Sequence, residues 1–148
     1  NPASCVKAVT KIDGVPFAFY SLHICRSIDS HNAGHAYRLA NEVLPKEKTS
    51  RVIVLGDFNN NMGDVAMNML EVSGLRPTWK DLKIDVSKEF TYNALKPEPP
   101  NSGVIDHIFY QGFPGAKVTD GGIIELKKPL SDHKPVWAEI AYPRDIER

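Results

Sequence analysis

The most constraining stretch of this chain is Arg51-Val52-Ile53-Val54-Leu55-Gly56-Asp57-Phe58-Asn59-Asn60. Four consecutive apolar residues without polar alternation read as a strand covered on both faces. Gly56 lets the backbone turn where that strand ends. Asp57 and Asn59 then project from the carboxyl end of the strand, where open sheets place their chemistry. No Lys or Arg stands among the five residues after Gly56. An acceptor-only carboxylate beside an amide therefore suits a cation or a water to be activated. The same Asp-x-Asn pattern also makes an Asx-turn, which hydrogen-bonds its own backbone. Taken alone, the stretch leaves both explanations open.

Its surroundings are those of a globular domain. The chain has 148 residues, 42% of them hydrophobic and 24% charged, enough to bury a core as one domain. Lys plus Arg and Asp plus Glu number 18 each, so the net charge is zero. That balance gives no strong non-specific attraction to nucleic acid. A polyanionic substrate stays open, because a local patch or a bound metal can supply the positive field. No apolar run approaches a membrane span. The chain begins Asn1-Pro2 without Met and reads as processed or truncated. Cys5 and Cys25 read as buried free thiols and leave the compartment undecided.

In chain order, residues 5–12 and 15–24 are predicted strands joined at Asp13-Gly14, a dipeptide that favours a tight hairpin turn. The second strand brings His23 to its end. Ala36, Leu39, Ala40, Val43 and Leu44 fall at helical spacing over 31–44, and Pro45 stops that helix. After the Asp57 strand, Asp64 is a suitable N-cap for a helix from Val65 to about Ser73, predicted to bury Val65, Met69 and Val72. Trp79 and Leu82 mark a packed segment of undefined type. Residues 89–92 suggest a short strand, and 93–103 an exposed loop. Val104-Ile105-Asp106-His107-Ile108-Phe109-Tyr110 is a strand interrupted by a charged pair. A carboxylate in such a strand is costly to bury unless partnered. Residues 112–122 read as a turn-rich connector and 123–126 as a short strand. Pro135 opens a final strand with Val136, Ala138 and Ile140 on one face, and Asp132 and His133 lie in the loop feeding it.

Four strand-edge positions thus carry His23, Asp57 with Asn59, Asp106, and Asp132 with His133. Each has an ordinary structural explanation, but their joint placement at strand ends suits a hard divalent cation and an activated water. No Ser or Cys nucleophile stands beside a base, which points to direct attack by water. Gly56-Asp57-Phe58-Asn59, Ile105-Asp106-His107-Ile108 and Ser131-Asp132-His133-Lys134-Pro135-Val136 resemble the C-terminal motifs of the endonuclease/exonuclease/phosphatase superfamily. Ser21-Leu22-His23-Ile24 is similar to its strand-end Thr-His-Leu motif. The resemblance runs from about residue 5 to 142, with the motifs in family order.

The resemblance implies an α+β sandwich of the deoxyribonuclease I-like, four-layer kind. This chain would cover about its C-terminal half: one mostly antiparallel or mixed sheet with flanking helices. It implies a metal-dependent phosphoesterase in which Asp57 aligns or deprotonates the attacking water and Asn59 holds that water or a phosphate oxygen. His133 would meet the scissile phosphate, oriented by Asp106, and His23 would hydrogen-bond the phosphate or assist the leaving group. Asp132 and Asp57 would help hold Mg²⁺ or Mn²⁺. The family's principal metal ligand is a Glu on an early strand, for which this chain has no matching segment. The fragment alone is therefore expected to be weakly active. His107 stands where the family more usually has an aromatic or basic residue, and the resemblance gives it no role.

The implied partners are a phosphate-ester substrate (nucleic acid, nucleotide, phospholipid or sugar phosphate) and the missing half, or a second copy, to cover an exposed sheet face. His31, His35 and Arg38 offer either an anionic-substrate edge or a solvated helix face. Two other functions remain open: a non-catalytic phosphate-ligand or protein-binding module on the same fold, and a metallohydrolase using His23, Asp57 and His133 as direct ligands.

Overall fold

The computed structural model describes residues 3–26, 29–96, 103–111 and 114–143. Strands β1 (Ser4–Ile12) and β2 (Val15–His23) form the expected antiparallel hairpin. Asp13 and Gly14 both adopt positive φ, 51° and 82°, which matches the turn to the twist of its strands. Helix α1 (Asp29–Arg38) then crosses over to β3 (Val52–Asp57), which lies parallel to β2. The predicted single helix over 31–44 is broken into three pieces. After α1 the chain widens to a π turn over Leu39–Val43 and tightens to a 3-10 turn over Leu44–Lys46. Pro45 has no N–H and its ring crowds the preceding turn, so an α-helix cannot run through it.

Helix α2 (Val65–Val72) buries a different stripe from the predicted one. Ala66, Met67 and Leu70 face the core, while Val65 and Val72 are 59% and 90% exposed. Both stripes obey helical spacing, and packing of the helix beside α1 and Leu75 selects between them. The ambiguous segment after it resolves into β4 (Leu75–Pro77) and α3 (Thr78–Leu82), with Trp79 buried. Next comes β5 (Asp106–Gln111), antiparallel to β3. The main sheet has five strands in the order β1-β2-β3-β5-β4.

The final strands, β6 (Lys117–Ile123) and β7 (Val136–Ala141), pair as a separate two-stranded sheet. The predicted connector over 112–122 is thus largely strand, and the predicted strand over 123–126 keeps only its first residue. Its glycines suggested a turn; they serve close packing instead. A Cβ at Gly121 would stand 2.7 Å from Leu82 Cδ1 and 2.8 Å from the Trp137 carbonyl. The predicted strand over 89–92 is a single bridge between Tyr92 and His133. Part of the predicted loop over 93–103 lies outside the described residues. Neither cysteine is in a disulfide, but Cys5 is exposed, contrary to expectation, because β1 is an edge strand.

The sheet has two unlike faces. On one, Tyr20, Leu22, Val52, Val54 and Phe109 pack under α1 and α2 with Leu39, Met67 and Leu70. On the other, Phe17, Ile53 and Tyr110 are buried, while Phe19, Leu55 and Ile108 are only partly covered, with Val118, Ile140 and Tyr142 against them. Along β2, β3 and β5 this second face continues by strand alternation to His23, Asp57 and Asp106. Among the described residues, no helix is long and apolar enough to cross a membrane.

Candidate active site

Strand register assembles the centre of the site. His23 pairs with Asp57 across β2 and β3, and Asp57 pairs with Asp106 across β3 and β5. Cross-strand partners share a face, so these three side chains stand in a row at one end of the sheet. The approach of β2 to β3 there depends on Gly56. Its φ is 133°, and a Cβ on it would fall 2.0 Å from the Leu22 carbonyl oxygen.

The loop after β3 holds Asp57 in place. The Asn59 backbone N–H donates to Asp57 Oδ1 at 2.8 Å, so the Asx-turn is present. Asn59 sits at φ 49°. Its side-chain amide donates to the Ile24 carbonyl at 2.7 Å and to Asp57 Oδ2 at 3.3 Å. Asn59 therefore ties the carboxylate to the end of β2.

His133 arrives from the other sheet's leading loop. Its Nδ1 lies 2.8 Å from Asp106 Oδ2, which fixes the imidazole and turns Nε2 toward Asp57 Oδ2, 3.9 Å away. His23 Nε2 is 3.5 Å from the same oxygen. Both separations are longer than a direct hydrogen bond, so the Asp57 oxygen is approached by both imidazoles without being bonded to either. Partial burial alone would lower the His133 pKa. The Asp106 hydrogen bond, with the charges of Asp106, Asp57 and Asp132, outweighs it, so the net shift is upward. Burial raises the Asp57 pKa, helped by neighbouring Asp106 and opposed by the Asn59 amide and the two imidazoles.

Of the six sequence-predicted site residues, the structure brings together His23, Asp57, Asn59, Asp106 and His133. Asp132 is exposed, its Oδ1 lies 3.4 Å from the Ser131 hydroxyl, and its charge acts on neighbouring His133. Ser131 Oγ also accepts from the His133 amide at 3.1 Å. Among the described residues, no three His, Cys, Asp or Glu side chains are arranged to hold a metal ion. Their donors do not form a complete cation shell among the described residues.

Three supporting residues escaped sequence reasoning. Thr91 Oγ1 accepts from the amides of Ile105 and Asp106, and its carbonyl accepts from the Lys134 amide at 2.7 Å. It thus joins the start of the Asp106 strand to the loop bearing His133. His107, the departure from family pattern, is fully buried and neutral. Trp79 Nε1–H donates to its Nδ1 at 3.0 Å, so its Nε2–H donates to the Asn60 carbonyl at 2.8 Å. Burial pushes its pKa down to about 4. His107 therefore pins the loop that follows Asn59. The interruption of an apolar strand by a His was the available signal. The third is Arg26, whose guanidinium lies over the Tyr92 ring. By contrast, His35 lies 3.8 Å from Cys25 Sγ and Arg38 pairs with Glu42.

No family model matches this chain, and no curated protein matches it. Solved structures do. A Bacteroides thetaiotaomicron mannosyl-6-phosphatase, Bt3783, is 24% identical with a TM-score of 0.66, covering 87% of this chain and 52% of its own. D. rerio TDP2, complexed with a single-strand DNA product, is 20% identical with a TM-score of 0.75, covering 95% of this chain and 62% of its own. A Bacteroides vulgatus endonuclease/exonuclease/phosphatase is 18% identical, with a TM-score of 0.72 and coverage of 94% and 55%. The chain has the endonuclease/exonuclease/phosphatase fold, as its motifs implied. It spans about half the length of these structures, as expected for the C-terminal half of that fold.

Proposed function

We propose that this chain carries half of the active centre of a phosphoesterase that uses water as nucleophile. The single observation behind this is the convergence of His23 and His133 Nε2 on one oxygen of Asp57, with His133 held by Asp106. A carboxylate flanked by two imidazole donors suits a reaction in which water gives up a proton while negative charge builds on phosphoryl oxygens.

In this scheme Asp57 orients the water and takes its proton. The water oxygen bonds to phosphorus as the ester P–O bond opposite it breaks. Protonated His133 donates from Nε2 to the phosphoryl oxygens, its charge sustained by Asp106. His23 donates to the phosphate or to the departing oxygen. Asn59 positions Asp57, since both its side-chain N–H groups are engaged.

Dependence on Mg²⁺ or Mn²⁺ belongs to the proposal. Asp57 and Asp132 offer carboxylates, and further ligands would come from the part of the fold this chain does not span. A bound cation would neutralise phosphate charge. The same remainder, or a second copy, would cover the half-open face of Phe19, Leu55 and Ile108. Similarity to a mannosyl-6-phosphatase and to TDP2 complexed with a single-strand DNA product supports a phosphate ester as substrate at class level.

The test is a panel of phosphomonoesters and phosphodiesters offered to the complete protein with Mg²⁺ or Mn²⁺, beside Asp57→Ala and His133→Ala. The proposal expects metal-dependent hydrolysis that both substitutions abolish. Phosphate binding without turnover on any ester would favour a binding module.

A further inference from the structure

The hydrolytic roles leave one row of side chains unused. The Tyr92 ring packs against the His133 imidazole, with centroids 5.2 Å apart. Arg26 Cζ stands over the same Tyr92 ring, 5.3 Å from its centroid. The Arg26 guanidinium is therefore one aromatic ring away from the imidazole assigned to the scissile phosphate.

Both ends of this row are tied to the site's backbone. Tyr92 bridges His133 directly, and neighbouring Thr91 holds the Asp106 strand to the loop of Lys134. Arg26 lies three residues past His23. Between them the Ile24 amide donates to the Asp57 carbonyl at 2.9 Å, so the segment leaves β2 in a fixed direction. An exposed arginine ordinarily loses side-chain entropy when it captures a ligand. Contact with a ring restrains it beforehand. A guanidinium held over a ring keeps N–H donors for an oxyanion, which it can take in fork geometry.

We propose that Arg26 is a specificity-determining residue. Carried on Tyr92, its guanidinium takes a second anionic group of the substrate, adjacent to the phosphoryl group at His133. The inference rests on the phosphoesterase reading and names its substrate class: esters with a second negative group beside the scissile phosphate. With zero net charge, the chain has no diffuse positive field to select such substrates, so selection falls to a local cation.

The test measures binding by isothermal titration to the complete protein and to its Arg26→Ala and Arg26→Lys variants. The two probes are a nucleoside 3′,5′-bisphosphate and the 5′-monophosphate of the same nucleoside. Arg26→Ala is expected to weaken the bisphosphate about tenfold and the monophosphate less than about twofold, the loss of one charge-assisted contact. Arg26→Lys should fall between, because an ammonium keeps the charge and loses the fork. Equal losses on both probes, or no loss in Arg26→Ala, would overturn this inference and leave the phosphoesterase reading standing. If the unaltered protein bound neither probe and hydrolysed no ester, both would fall together.

Discussion

His133 meets Asp106 through a 2.8 Å hydrogen bond at Nδ1, across a sequence separation of 27 residues. The bond sets the direction of the imidazole and, with the nearby carboxylates, holds its pKa above the ordinary value despite partial burial. A raised pKa means the charged form persists further toward alkaline pH. Activity that needs protonated His133 is then lost as pH rises through that value. Asp106→Asn removes the largest upward influence. The alkaline limb of kcat/KM should move to lower pH, with a fall of about 10²-fold in kcat. A pH–rate profile of the complete protein checks both.

His107 gives a separate, structural pH dependence. The unfolded chain takes up a proton near the ordinary value of 6.5, and the folded chain only near 4. Stability is therefore level above that window and falls as pH drops through it, by up to about 3 kcal/mol. His107→Leu should flatten this part of the curve. It should also cost about 2 kcal/mol at neutral pH, because the Trp79 N–H and Asn60 carbonyl lose their partner. Urea unfolding at several pH values measures both effects.

Gly56 is the narrowest point of the sheet. Gly56→Ala would drive a methyl group into the Leu22 carbonyl at 2.0 Å and would strain a backbone at φ 133°. A loss of at least about 3 kcal/mol is expected, read from the urea midpoint. Even a variant that folds would have β2 and β3 forced apart where His23 and Asp57 meet. Its activity should fall more than its stability explains.

The chain's own donors do not complete a cation shell among the described residues. The purified 148-residue chain should therefore bind Mg²⁺ weakly and turn over little substrate. Titration of Mg²⁺, followed through the amide resonances of Asp57 and Asp132, tests the first expectation. Efficient phosphodiesterase turnover by this chain alone would contradict the second.

Much of this architecture is local and therefore legible in the sequence. Asp13-Gly14 specifies its turn, the Val52–Leu55 run specifies a covered strand, and motif order specifies the fold. Asp57 shows why two explanations of one pattern need not compete: its carboxylate makes the Asx-turn with Asn59 and still faces both imidazoles. What remained hidden depends on contacts between distant segments. The buried stripe of α2 is chosen by its neighbours, since Val65 and Ala66 head equally regular stripes. Gly121 resembles a turn residue until Leu82 and Trp137 are seen against it. His107 acquires its role from Trp79 and Asn60, neither near it in sequence. Asp132, grouped with His133 by adjacency in sequence, is exposed and adds its charge to those that raise the His133 pKa.

The central claim is that Asp57 handles the attacking water. The most direct measurement is kcat/KM of Asp57→Asn in the complete protein, on whichever phosphoester it hydrolyses best. Asparagine preserves size and much of the hydrogen bonding while removing the proton acceptor. The account predicts a loss of about 10²-fold or more with the fold unchanged by circular dichroism. Hydrolysis within about twofold of the unaltered protein would contradict it.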